Sequence, residues 1–126
     1  MKILVIEDDL NTLNGLIDLL HLENHFALGA DNAATALQIL KENVFDLVLC
    51  DFRLPDINGL SLCAQIHQQC RETTLFMFTA YCNLQHREKA KMCGVSRLFN
   101  KPLDIDELFT ALDSVPARPN QSAYFH

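Results

Sequence analysis

Phe45-Asp46-Leu47-Val48-Leu49-Cys50-Asp51, running straight into Phe52-Arg53-Leu54-Pro55-Asp56-Ile57-Asn58-Gly59, is the stretch whose reading decides the fold. An apolar run of this length without strict alternation suits a strand buried on both faces of a parallel sheet. It stops on a carboxylate, Asp51, and gives way to a loop written in turn chemistry. Pro55 fixes one φ, and Asn58-Gly59 permits positive φ. Three other runs share the design. Lys2-Ile3-Leu4-Val5-Ile6 leads into Glu7-Asp8-Asp9, Leu75-Phe76-Met77-Phe78 into Thr79, and Arg97-Leu98-Phe99-Asn100 into Lys101-Pro102. In an open parallel sheet, ligands bind outside the carboxyl ends of the strands. As parallel strands these runs gather an acid cluster, a lone carboxylate, a hydroxyl and an ammonium along one sheet edge. That set suits a divalent cation and a phosphoryl group held together.

Helical periodicity fills the spaces between the runs. Leu10, Leu13, Ile17 and Leu20 form a stripe directly after the first strand. A weaker strand, Phe26-Ala27-Leu28-Gly29-Ala30, follows. Asn32 is the expected N-cap of a helix striped by Ala33, Ala36, Leu37 and Leu40. Leu62, Cys63, Ile66 and Cys70 mark a third helix, and residues 84–93 a more polar fourth, ended by Gly94 as its C′ residue. Asp104 with Glu107 forms an acidic capping box that opens a last helix through Leu108, Ala111 and Leu112. Strand and helix alternate five times. Right-handed crossovers with helices on both faces then predict an α/β protein, a three-layer sandwich around a five-stranded, parallel, doubly wound sheet. Pro116 and Pro119 mark the end of the folded unit, so residues 1–114 are expected to form one domain and 115–126 a flexible tail or the start of a linker.

Composition narrows the function. A chain of 126 residues with 49% hydrophobic content is enough for one domain with a proper core. Ten basic against sixteen acidic residues, net charge −6, with no Lys/Arg run, argue against direct nucleic-acid binding. Arg87, Lys89 and Lys91, interleaved with Glu88, read as a solvated helix face. No apolar stretch approaches a membrane span, and the start lacks a signal-type apolar segment, so a cytoplasmic protein is expected. Five cysteines without a C-x-x-C pair suggest neither a disulfide framework nor a zinc site. Cys50 adjoins Asp51, but alternation turns it away. The five histidines show no metal-ligand spacing.

The ordered set Glu7-Asp8, Asp51 with Pro55-Asp56-Ile57-Asn58-Gly59, Thr79-Ala80 and Lys101-Pro102 resembles the receiver domain of two-component response regulators across nearly the whole chain. The resemblance implies a flavodoxin-like fold with strand order 2-1-3-4-5. It implies a protein that is not an enzyme in the ordinary sense and catalyses only its own phosphorylation and dephosphorylation. Asp51 is then the phosphoacceptor, taking a phosphoryl group from the phosphohistidine of a sensor histidine kinase or phosphotransfer protein. Mg²⁺ is the implied cofactor, held by Glu7, Asp8, Asp51 and the backbone carbonyl of Arg53. Lys101 supplies a compact charge for phosphoryl oxygens, oriented by a cis bond to Pro102, and Thr79 donates a hydrogen bond to the phosphate. The face built from the fourth helix, fifth strand and fifth helix is the expected surface for an output domain, a partner protein or a second copy in a homodimer.

One position departs from the pattern. The family commonly carries Tyr or Phe three residues before the lysine, and this chain has Leu98, with Phe99 one place on and facing the other side. Tyr81 is the nearest spare aromatic. An alternative reading is therefore a pseudo-receiver, an interaction module with weak or no phosphate-dependent switching. An aspartyl-phosphate phosphatase is disfavoured, since Arg53 stands where a second Asp is wanted. A flavodoxin-like cofactor binder lacks a Gly- or Ser/Thr-rich loop after the first strand. Asp9, one place beyond the matched pair, is a candidate for capping the first helix instead.

Overall fold

A computed structural model describes residues 1–80 and 83–117. The elements run β1 (Lys2–Ile6), α1 (Leu10–Leu22), β2 (Phe26–Ala30), α2 (Ala33–Glu42), β3 (Leu47–Asp51), α3 (Gly59–Gln69), β4 (Thr74–Thr79), α4 (Leu84–Met92), β5 (Val95–Asn100) and α5 (Ile105–Leu112). The strands form one parallel sheet in the order β2-β1-β3-β4-β5. The expected α/β three-layer sandwich and its strand order are thus present.

Strand alternation divides the core into two halves. Ile3, Val5, Leu47, Leu49, Phe76, Phe78 and Phe99 point to the side covered by α1 and α5, meeting Leu13, Leu16, Leu20, Leu108 and Leu112. Leu4, Ile6, Val48, Cys50, Leu75 and Met77 point to the side of α2, α3 and α4, meeting Ala36, Leu62, Ile66 and Ala90. Each such large side chain taken out of water contributes about 1.5–3 kcal/mol before chain entropy is counted. Cys50 sits in the second half, directed away from the carboxylate of Asp51, as its strand parity predicts.

Local expectations hold at most caps. Asn32 accepts from Thr35 N at 2.8 Å, and Gly94 has φ +90° directly after α4. Asp104 accepts from the backbone N–H groups of Asp106 and Glu107, the first half of a capping box. Asp9 is the N-cap residue of α1, yet its carboxylate takes the Thr12 hydroxyl at 2.7 Å instead of a backbone N–H.

Four details differ from the sequence reading. The α1 stripe is Leu13, Leu16 and Leu20 with Ile17 half-buried, while Leu10, at the first helical position, is 56% exposed. The run at Asp46 is not yet strand: its buried carboxylate accepts from Lys2 N at 2.7 Å and so ties the bottom of β1 to the start of β3. β5 opens at Val95, two residues before Arg97. Asn58-Gly59 makes no positive-φ turn. Asn58 (φ −74°) caps α3 by accepting from Ser61 N at 2.8 Å. Gly59 is required for space, because a Cβ there would stand 2.3 Å from the carbonyl oxygen of Asp51.

At the other end, Val115 still packs on the α1/α5 half of the core. Residues 118–126, most of the expected tail, lie outside the described residues, as does Tyr81. Among the described residues no helix is long and apolar enough to cross a membrane.

Candidate functional site

The carboxyl ends of β1, β3, β4 and β5 meet at one edge of the sheet. Parity sorts what they carry. Glu7 continues the series Ile3, Val5; Asp51 continues Leu47, Leu49; Lys101 continues Phe99. All three fall on the α1/α5 side. Thr79 continues Leu75 and Met77 and falls on the other side, as does Leu98, which packs against that half of the core. The ionic cluster and Thr79 thus stand at the same carboxyl edge, carried by positions of opposite strand parity.

The cluster is tight, and two of its three carboxylates are buried. Glu7 and Asp51 are 1% and 3% exposed, while Asp8 is exposed. One carboxylate oxygen from each of Glu7, Asp8 and Asp51 lies within 4.8 Å of the others. Lys101 Nζ donates to Asp51 Oδ2 at 2.8 Å and to Glu7 Oε1 at 3.3 Å. Its ammonium also stands 5.3 Å from the centroid of the Phe78 ring, a cation–π contact that sequence reading did not anticipate. Lys101 N donates to Thr79 O at 2.8 Å, so the chain leaving β5 stays in register with β4, and the Lys101–Pro102 bond is cis. Arg53 N donates to the remaining oxygen, Asp51 Oδ1, at 3.2 Å.

Charge is unbalanced here: three carboxylates face one ammonium. Burial first, and then the neighbouring Asp51 and Asp8, push the Glu7 carboxyl up to about 7 from an ordinary 4.5, with Lys101 acting the other way. Desolvation pulls the Lys101 ammonium down, but its contacts with Asp51 and Glu7 outweigh this and leave it raised. Such a site is short of positive charge. Its donors are hard oxygens, and two of its three carboxylates are buried, which fits Mg²⁺ with its preference for a few carboxylates and several waters.

The β3–α3 loop carries two contacts that sequence reading missed. Asp56, read only as turn chemistry, accepts from Ala33 N and Ala34 N at 2.9 Å each, across more than twenty residues. Phe52 lies with its ring centroid 5.1 Å from that of His86 on α4. Only the turn-forming composition of residues 53–59 hinted at a structured loop. Beside the site, between α1 and the start of α5, Leu16, Leu19, Phe78, Leu103 and Ile105 line a cavity of about 350 Å³ that reaches Glu7 and Lys101.

Comparison with known proteins follows the same geometry. The family model described as "Response regulator receiver domain" matches residues 3–113. Among solved structures, the signal receiver domain of an HD domain-containing protein from Pseudomonas fluorescens is 34% identical at a TM-score of 0.85, covering 90% of this chain and 92% of that one. The non-phosphorylated HemR receiver domain from Leptospira biflexa is 29% identical at a TM-score of 0.85, covering 94% and 97%. Among curated proteins, the sensor histidine kinase AruS of Pseudomonas aeruginosa is 34% identical over 91% of this chain and 12% of its own length. The transcriptional regulatory protein ZraR of Klebsiella oxytoca is 32% identical over 97% and 28%. The chain therefore spans less than a third of the length of either curated relative.

Proposed function

Because the chain belongs to the response regulator receiver domain family, we propose that it is the phosphoacceptor module of a two-component system, with Asp51 as the residue phosphorylated. The observation that carries this reading is the convergence of Glu7, Asp8 and Asp51 within 4.8 Å, with Lys101 Nζ 2.8 Å from Asp51. The donor is the phosphohistidine of a sensor histidine kinase or of a phosphotransfer protein. An Asp51 oxygen bonds to phosphorus, the phosphorus–nitrogen bond breaks, and the imidazole nitrogen retains the electron pair. The product is an acyl phosphate.

A carboxylate attacking an anionic phosphoryl group needs its charge offset and its geometry fixed. Lys101 meets the first need from the α5 side and follows the charge onto the phosphoryl oxygens. Arg53 N meets the second by holding Asp51 Oδ1. Asp8 and Asp51 with the Arg53 carbonyl would hold Mg²⁺, Glu7 acting through water. When bound, the cation supplies the charge neutralisation that in-line phosphoryl transfer demands. Thr79, at the end of β4, offers its hydroxyl to a phosphoryl oxygen once one is present. The domain acts as a signalling module in the cytoplasm, catalysing only its own phosphorylation and dephosphorylation. Its output passes through the α4–β5–α5 face to a following domain, a partner protein or a second copy.

Intact-mass measurement after incubation with a small acyl-phosphate donor and Mg²⁺ tests the reading. One phosphoryl group, labile at alkaline pH and absent in Asp51→Asn, is expected. Undiminished labelling of Asp51→Asn would move the acceptor elsewhere.

A further inference from the structure

We propose that Asp56 is a positioning residue for Asp51, clamping the middle of the β3–α3 loop to the first turn of α2 and so fixing the backbone of Arg53. The inference rests on the reading of Asp51, Arg53 and Mg²⁺ given above.

Both oxygens of the Asp56 carboxylate are engaged. Oδ1 accepts from Ala33 N at 2.9 Å and from Ile57 N at 3.1 Å, and Oδ2 accepts from Ala34 N at 2.9 Å. The negative group sits at the positive end of α2. The bonds from Ala33 and then Ala34 hold its carboxyl below the usual range. Helix capping alone does not explain the arrangement, because α2 supplies its own cap. Asn32 Oδ1 takes Thr35 N, and Asn32 O takes Ala36 N at 3.2 Å. Of the N–H groups orphaned at the start of the helix, Asn32 takes only that of Thr35, and those of Ala33 and Ala34 go to a residue more than twenty positions away.

The loop so held bears directly on the site. Its ends are pinned by Phe52 N to Phe78 O at 3.0 Å and Gly59 N to Phe52 O at 2.7 Å. Leu54 and Ile57 rest on the α2–α4 half of the core. Between those pins, Arg53 is exposed, and its N–H donates to Asp51 Oδ1. Asp56, three residues on, adds a polar tie from that segment to the first turn of α2. Residues behind the atoms that hold a metal commonly change its affinity by about 10–100-fold when removed.

Three variants of the full chain decide the matter: Asp56→Ala, Asp56→Asn, which keeps one carbonyl acceptor, and Asn32→Ala, which uncaps α2 without touching the loop. In metal-free protein, amide exchange followed by NMR should quicken at Arg53 in Asp56→Ala and stay parental there in Asn32→Ala. Mg²⁺ titration should show affinity falling about tenfold in Asp56→Ala, recovering in part in Asp56→Asn, and unchanged in Asn32→Ala despite a lower unfolding midpoint. Parental Arg53 exchange and Mg²⁺ affinity in Asp56→Ala would overturn the clamp. Equal loss of affinity in Asn32→Ala would overturn it too, reducing Asp56 to a contributor to α2 stability. A parent chain that takes up no Mg²⁺ would sink the reading of the site, and Arg53 exchange in the metal-free variants would still decide the clamp.

Discussion

Lys101 Nζ lies 2.8 Å from Asp51 Oδ2, and this single ammonium also serves Glu7 at 3.3 Å. The pairing is asymmetric: the carboxylates are nearly sealed while a third of the lysine side chain stays in water. Lys101→Met should leave two buried carboxylates facing each other with no counter-charge. Leaving a buried charged group unsatisfied costs about 1–3 kcal/mol, and the lysine's exposure places the loss in the lower part of that range. Urea unfolding in chelator should show the loss, and saturating Mg²⁺ should recover part of it. An unchanged midpoint in chelator would mean that Lys101 does not offset this charge.

Stability should depend on pH through Glu7. Its folded pKa, about 7, exceeds its ordinary 4.5, so the folded state binds more protons between those values. The stability this group contributes is full below about 4.5 and is lost as pH rises through 7. His25 opposes the trend, because burial holds its imidazole below 6.5 and stability gains as pH rises towards that value. The Glu7 share is therefore the stability of the parent minus that of Glu7→Gln in chelator, and it should fall from pH 5 to 8 as the parent loses stability that the glutamine variant keeps. Asp8, Asp51 and Lys101 face the group. Mg²⁺ should flatten the difference by taking the proton's place. A difference that stays constant over this range without metal would refute the assignment.

The chemistry-bearing residues were legible because each stands where an apolar run stops. The alternation that turns Cys50 away from Asp51 also accounts for Glu7, Asp51 and Lys101 sharing one side of the sheet. Leu98 and Phe99 separated to opposite sides for the same reason. What stayed hidden depends on pairs far apart in the chain. Asp56 reads as a turn residue until α2 is brought against it. Gly59 reads as a source of positive φ until the carbonyl of Asp51 is found beside it. Asp46 reads as part of a strand until its carboxylate meets Lys2 N. Period and composition report neighbours three, four or two residues away; they hold no record of close approach between loops.

Two glycines should respond to alanine with opposite signs. Gly59→Ala drives a Cβ to 2.3 Å from Asp51 O, a backbone atom that cannot turn aside. It should destabilise by about 1–3 kcal/mol and weaken Mg²⁺ binding, since relief means moving Asp51. Gly15, exposed within α1, has nothing within 4 Å of the added carbon. Gly15→Ala should stabilise by about 0.5–1 kcal/mol through lower chain entropy and better helix propensity. Thermal unfolding of both variants checks the pair, and a loss in Gly15→Ala would show that α1 is constrained in a way its open surface does not reveal.

Switching should be modest. Leu98 pairs in register with Met77 and packs on the α2–α4 half of the core, one step along the face from Thr79. It also lines a groove of about 300 Å³ with Arg87, Ala90, Lys91 and Val95. If phosphate draws Thr79 away, the space it leaves can be refilled by leucine, but leucine brings no hydroxyl to bond in the inward position. A ligand shifts a two-state element only as far as it contacts the two states differently. The missing hydrogen bond is worth about 0.5–1.5 kcal/mol, or roughly two- to thirteenfold in population. Phosphorylation should therefore change amide protection on α4, β5 and α5 only slightly in this chain. Leu98→Tyr should enlarge the change, and Thr79→Ala should abolish it in both backgrounds. A large, Thr79-dependent protection change with Leu98 in place would show that the aromatic is dispensable here, with the contact between Phe52 and His86 the next route to examine from Asp51 to α4.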